Sequence, residues 1–264
     1  MRRDQKVTTK TTRYLVPADG PETEPIKTAL ALLAKLCGDF RTDAILLVPT
    51  KRNIEGKTLG RVLGSRVARD LLKNKPVPLP GGWNMTLKTE RTFQDQWTSS
   101  IIMAVYATKK MLDQIDTAKS APAVIVVPWI MEQVNEWRRT WNPRVVGEPT
   151  TTPEPLVENA VVEEALESLT HTVNLSTGLS HPDDRRAAVQ LFHLLHENGE
   201  LFDPGSIRAW VLRNGWDPEG ADQLRGVAQS ILDGKRIHLG PPHWKRNIIG
   251  IWRERAKGGE EAMQ

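Results

Sequence analysis

Apolar and polar positions over the first 146 residues follow two alternating rhythms. Runs that are apolar at successive positions, at 14–16, 44–48, 101–106 and 124–127, predict strands. Between them the spacing turns helical. Ile26, Leu30, Leu33 and Cys37 share one face, closed by Gly38, and further helices are expected over 58–72, 109–117 and 129–141, the last with Ile130, Val134, Trp137 and Trp141 in line. Alternating βα units imply a Rossmann-like α/β fold around a mainly parallel sheet of four or five strands, whose fully apolar strands must be covered on both faces. Residues 76–97 break the rhythm: Pro76, Pro78, Pro80, Gly81 and Gly82 forbid a long element, and 85–89 alternates as an exposed or edge strand would.

The second half reads differently. Gly147, Pro149, three consecutive threonines, Pro153 and Pro155 cannot bury a core, and 156–169 follows as a short acidic helix, so 147–180 is expected to be a linker. Beyond it, Asp203-Pro204 and Asp217-Pro218 are helix starts, and Asn198-Gly199, Asn214-Gly215 and Asp233-Gly234 are helix ends. Four short helices are expected, at 183–197, 204–213, 218–232 and 242–257. The chain thus divides into a basic tail (1–13), an α/β domain (14–146), the linker (147–180) and a small all-α domain (181–264).

Composition adds bounds. At 39% hydrophobic and 26% charged, the chain has an ordinary globular balance. A single cysteine excludes an intrachain disulfide and any multi-cysteine zinc cage. The longest apolar runs, 44–49 and 121–130, fall far short of the roughly 20 residues of a membrane span, and the opening Met-Arg-Arg-Asp leads into no apolar stretch. The expected setting is cytoplasmic, with no membrane contact. A net charge of +4 conceals two basic regions around an acidic middle. Over 225–257, eight basic residues (Arg225, Lys235, Arg236, Lys245, Arg246, Arg253, Arg255 and Lys257) face only Asp233 and Glu254.

Candidate chemistry concentrates at the carboxyl edge of the sheet, where open α/β sheets receive ligands. The strand ends offer Asp19, then Thr50 and Lys51, then Thr108 and Lys109, then Trp129. Two Thr-Lys pairs supply ammonium and hydroxyl groups suited to phosphate, although lysine after a strand is equally at home as solvated surface. Gly56-Lys57-Thr58 resembles the tail of a P-loop, adding Lys57, but Lys51 stands where that pattern wants glycine and Glu55 would repel phosphate. The acids after the first strand, Asp19, Glu22 and Glu24, suit a cation or a ribose hydroxyl better than a pyrophosphate. His193 and His196 share a helix flank, but His-Leu-Leu-His-Glu matches no zinc-protease order, and no metal site is assigned. Ser176, Ser180 and His181 lack any nucleophile elbow. In the last helix Trp244, Ile248, Ile251 and Trp252 form an apolar face. Arg246, Arg253 and Lys257 lie nearly opposite, with Lys235, Arg236 and Lys245 nearby, a surface fit to track phosphates or simply to face water. Of nine tryptophans most fall at core spacing; Trp83 and Trp97 have little around them to bury.

The expected function is that of a non-enzymatic sensor or adaptor. Its α/β domain would bind a small phosphorylated, nucleotide-like ligand, with Mg²⁺ the cofactor such a ligand would bring. Its helical domain would bind nucleic acid or a protein. The alternatives are an enzyme acting on nucleotides or phosphate esters at the same edge, which needs a carboxylate converging with the lysines, and a pure interaction protein with no small-molecule site.

Overall fold

A computed structural model describes residues 11–55, 57–94, 97–118, 120–175, 177–235, 237–238 and 240–261. The basic tail through Lys10 lies outside the described residues, as do Gly56, Ser176 and Arg236. The chain forms two compact units, Met1–Thr152 and Pro153–Gln264.

The first unit is built on a sheet of seven strands: β1 (Thr12–Leu15), β2 (Ala44–Val48), β3 (Val77–Pro78), β4 (Asn84–Thr89), β5 (Ile101–Ala107), β6 (Ala123–Pro128) and β7 (Arg144–Val145). Their order is β3-β4-β2-β5-β6-β1-β7, with only β3 antiparallel. The sheet is larger than the four or five strands expected, for two physical reasons. The two-residue strands β3 and β7 are too short to carry a periodicity. β4 alternates like an edge strand yet lies inside, parallel to β2, with β3 folded back over its far side through Pro80-Gly81-Gly82; its Met85, Leu87 and Thr89 are buried and the residues between only partly so.

Helices α1 (Thr23–Phe40), α2 (Thr58–Leu63) and α3 (Ser65–Leu72) pack on one face, where Ile26, Leu33, Leu59 and Leu71 meet Leu46, Met103 and Ile125. α4 (Lys109–Thr117) and α5 (Asn135–Trp141) pack on the other, where Met111, Ile115 and Trp137 meet Leu15, Leu47, Ile102 and Val124. Parallel crossovers turn right-handed, so the direction of each step across the sheet decides which face its helix covers. From β1 to β2 to β4 the chain steps toward β3; from β4 to β5 to β6 to β7 it steps back. Consequently β1 lies beside β6, and β2 beside β5, with connections leaving toward opposite faces.

Local chemistry adjusts several expected helices. α1 passes through Gly38 and ends where Arg41 adopts the left-handed conformation. The single helix expected over 58–72 breaks at Gly64, whose φ of +82° no other residue tolerates cheaply. The helix expected from residue 129 starts only at Asn135, after a 3-10 turn over Met131–Val134, leaving Trp129 and Ile130 outside it and exposed.

The second unit contains α6 (Ala160–Thr172), α7 (Pro182–Glu197), α8 (Pro204–Arg213), α9 (Pro218–Leu232) and α10 (Ile248–Glu261). Asp203 and Asp217 cap α8 and α9 as the sequence indicates, accepting bonds from the amides of Ser206 and Gly220 at 2.7 and 2.6 Å. The acidic helix expected inside the linker is instead the central buttress of this unit. Three indoles donate to its side chains: Trp210 to Glu163 (2.9 Å), Trp216 to Thr170 (3.0 Å) and Trp252 to Ser168 (2.9 Å). A buried indole needs such a partner, so residues that look like solvated linker chemistry serve the core. The last helix starts later than expected. Gln190 clamps the preceding loop from both sides, donating to Pro241 O and accepting from His243 N, and Trp244 sits before the helix rather than on it, donating to Ala187 O.

Candidate functional site

At the carboxyl edge, the ends of β1, β6 and β5 and the start of α2 form one connected line. The loop after β1 is tied to the loop after β6: Gly20 N–H donates to Trp129 O (2.6 Å), and the Asp19 carboxylate accepts from Met131 N–H (3.3 Å). Trp129, 41% exposed, then meets Tyr106 edge-on, ring centroids 5.1 Å apart. Tyr106 in turn reaches the backbone of Leu59 in the first turn of α2, immediately after Lys57 and Thr58. Lys109, exposed, opens α4 three residues past Tyr106.

Tyr106 is unusual on three counts. It sits on a bulge in β5, where the pairing with β6 shifts between Val105 and Ala107. Its φ is +59°, a conformation uncommon for a bulky residue. It is also 4% exposed, with its hydroxyl buried beside Leu59 but without a well-formed hydrogen bond. Burial holds the phenol in its neutral form by raising its pKa. The bulge turns Val105 and Tyr106 toward the same face and aims the ring beneath Trp129.

Other residues singled out from the sequence have structural duties. The hydroxyl of Thr50 donates to the side chain of Asn53, stapling the 3-10 turn Lys51–Asn53 (2.9 Å). Lys51 turns away from the strand ends and closes the C-terminus of α3, donating to Leu72 O (2.8 Å) and to Asn74 Oδ1 (2.9 Å). Thr108 caps α4 by accepting from Met111 N–H and donates to Glu90 Oε2 at 2.7 Å. Glu90, like Tyr106, is a residue that sequence reasoning missed. It follows β4, which becomes a neighbour of β2 only in the folded sheet, and its second oxygen pairs with Lys110 (3.3 Å). Gln114 donates to the carbonyls of Glu90 and Phe93 and completes a bracket between the β4 end and α4. A carboxylate does meet a lysine at the sheet edge, but both of its oxygens are already held by protein groups.

Before α2, Ile54 is buried and its carbonyl oxygen lies against Gly60. In the second unit Arg253, expected to track phosphates, is bound to Glu200 (2.9 Å) and to Asn198 O (3.1 Å), and Lys235 pairs with Asp233 (3.2 Å). Lys245, Arg246 and Lys257 are exposed. His193 pairs with Glu197 at 3.1 Å, and among the described residues no three His, Cys, Asp or Glu side chains converge to hold a metal ion. No helix of the described residues is long and apolar enough to cross a membrane.

Fold and site together define an α/β unit with an aromatic-lined edge, followed along the chain by a helical unit. Residues 158–253, from just before α6 into α10, match the model of a family described as a domain of unknown function, DUF1889. No curated protein and no solved structure matches the chain.

Proposed function

We propose that the chain is a sensor or adaptor whose α/β unit binds a nucleotide-like ligand at the ends of β1, β6 and β5, and whose helical unit binds an acidic partner, nucleic acid or protein. In open α/β sheets ligands settle beyond the carboxyl ends of neighbouring strands whose connections leave toward opposite faces, an arrangement that β1 and β6 have here. The observation that carries the reading is Tyr106. A left-handed backbone costs on the order of 1–3 kcal/mol, the buried hydroxyl lacks a well-formed hydrogen bond, and such outliers gather at sites. Here they support an exposed indole at one of the two places where the connections of neighbouring strands leave toward opposite faces. Trp129 offers a flat ring for a base, with Lys57 and Lys109 on the flank for phosphate. A binding role is favoured over hydrolysis because Glu90 and Thr108 are committed to each other.

The test is thermal unfolding against mononucleotides, dinucleotides and sugar phosphates, with and without Mg²⁺. A ligand at a hundred times its Kd raises stability by about 2.7 kcal/mol. Trp129→Ala is expected to lose about 1–2 kcal/mol through its contact with Tyr106, to stay folded, and to lose the ligand-induced shift. No shift in the parent protein with any of these ligands would refute the reading.

For the helical unit, the exposed Lys245, Arg246 and Lys257 carry the contact, since Arg253 and Lys235 are paired internally. Lys245→Glu with Arg246→Glu is expected to weaken oligonucleotide binding at low salt several-fold and to flatten its salt dependence, read by fluorescence anisotropy. Unchanged affinity would remove this surface from the account.

A further inference from the structure

Residues 51–75, which run from the turn after β2 through α2 and α3, hold eight lysines and arginines against two acids, Glu55 and Asp70. Arg52, Arg61, Arg66, Arg69, Lys73 and Lys75 are exposed, and among the described residues none of the six is in an ion pair. Exposed cations elsewhere are matched: Lys27 with Glu24, Lys110 with Glu90, Arg138 with Glu148, Lys235 with Asp233 and Arg253 with Glu200. The segment is folded back on itself. Lys51 donates to Leu72 O (2.8 Å) and to Asn74 Oδ1 (2.9 Å), which holds the 51–53 turn beside the end of α3. Along α3, Arg66, Arg69 and Lys73 recur at three- and four-residue spacing, so they share a face and span about 10 Å of the helix axis. Like charges at that spacing repel one another, a cost to the folded chain that a bound polyanion removes. Asp70, the one acid of α3, is partly buried.

We propose that this surface of α2 and α3 binds the phosphate backbone of a nucleic acid, without reading its sequence. Four of the six groups are guanidiniums, whose planar forks match phosphate oxygens. A membrane surface or a protein partner takes apolar anchors, and among the described residues this segment exposes no large apolar side chain. Its Val62, Leu63, Val67 and Leu72 pack against the core beneath the sheet face. A cationic face without anchors draws its affinity from the counterions that phosphates release, the source of sequence-independent nucleic-acid binding. The surface belongs to the α/β unit, so it is distinct from the basic residues of the helical unit.

Fluorescence anisotropy of the full chain with a labelled DNA duplex and a labelled single-stranded RNA, across a range of salt concentrations, tests it. Binding of at least one is expected at low salt, weakening steeply as salt rises. Arg66→Ala with Arg69→Ala, at exposed positions of a helix that alanine favours, is expected to keep the parent melting midpoint. It is expected to weaken binding roughly ten-fold at low salt and to reduce the salt slope by about 2. Arg66→Lys with Arg69→Lys keeps both charges and is expected to keep the slope. Lys73→Ala with Lys75→Ala, beyond the last turn of α3, repeats the test without touching the helix. Lys245→Glu with Arg246→Glu separates the helical unit: if that pair weakens binding and both alanine pairs bind as the parent does, the proposal is overturned and the helical surface stands. Absence of binding to either nucleic acid at low salt overturns it, as does binding to phosphatidylserine vesicles alone.

Discussion

Asp116→Ala is expected to lower the stability of the α/β unit by about 3–5 kcal/mol. Asp116, in α4, is buried on the face opposite α1, where it accepts from the indoles of Trp137 (3.3 Å) and Trp141 (2.9 Å) and pairs with Arg13 of β1 at 3.7 Å. The Arg13 guanidinium lies 3.5 Å from the centre of the Trp141 ring, and burial pulls its pKa down. Removing the carboxylate strands a buried cation and two indole N–H groups together. Arg13→Met combined with Asp116→Leu is expected to recover at least half of the loss, because it removes both charges and fills the space. A double variant no more stable than Asp116→Ala, measured by urea unfolding, would show that the ion pair is not what the single substitution breaks.

The same carboxyl gives a pH signature. Burial, opposed by Arg13 and the two indoles, raises its pKa from 3.8 to about 6. The folded chain therefore takes up a proton that the unfolded chain releases, and stability from this group is present below about pH 4 and lost as pH rises toward 6, by up to about 3 kcal/mol. The stability difference between the parent protein and Asp116→Asn is expected to follow that slope. A difference flat from pH 4 to 7 would contradict it.

Gly60→Ala is expected to be as severe, at about 3 kcal/mol or more. A Cβ at this position overlaps the carbonyl oxygen of Ile54, and neither group is the end of a flexible side chain. Relief requires α2, whose Leu59 lies beside Tyr106, to move away from Ile54, so ligand-induced stabilisation is expected to fall with fold stability. Gly250→Ala, in α10 with open space at the same test position, serves as the control and is expected to be neutral or slightly stabilising. If Gly60→Ala unfolds at the parent midpoint, the packing of this segment is not as described.

Much of the fold was legible because both helix and strand periods are carried by apolar residues that the core requires. β2, β5 and β6 announce themselves by being apolar at every position, and the Asp-Pro starts of α8 and α9 by capping chemistry alone. What escaped was set by partners distant in sequence. β4 is interior because β3 turns back over it, and Glu90 reaches Thr108 only once β4 and β5 flank β2. α6 looked like linker because its acceptors for three indoles are Glu163, Ser168 and Thr170, residue types that usually face water. For the proposed site, Asp19, Lys109 and Trp129 follow from the rule that ligands gather at strand ends, and Lys57 from the P-loop-like tail Gly56-Lys57-Thr58. Tyr106 gave no sign: a left-handed tyrosine on a bulge follows from the register of β5 against β6, and no spacing in the sequence records it. Lys51 followed the same rule as Lys109 and went elsewhere, because the C-terminus of α3 ends within its reach.

Amide chemical-shift mapping of the ¹⁵N-labelled chain, titrated with the nucleotide that gives the largest thermal shift, tests the central claim most directly. The account expects the perturbed amides to concentrate at residues 18–20, 57–59, 106–109 and 129–131, the four segments joined through Asp19, Trp129, Tyr106 and Leu59. Perturbations confined to the amino edge of the sheet, or to the helical unit beyond residue 153, would contradict it.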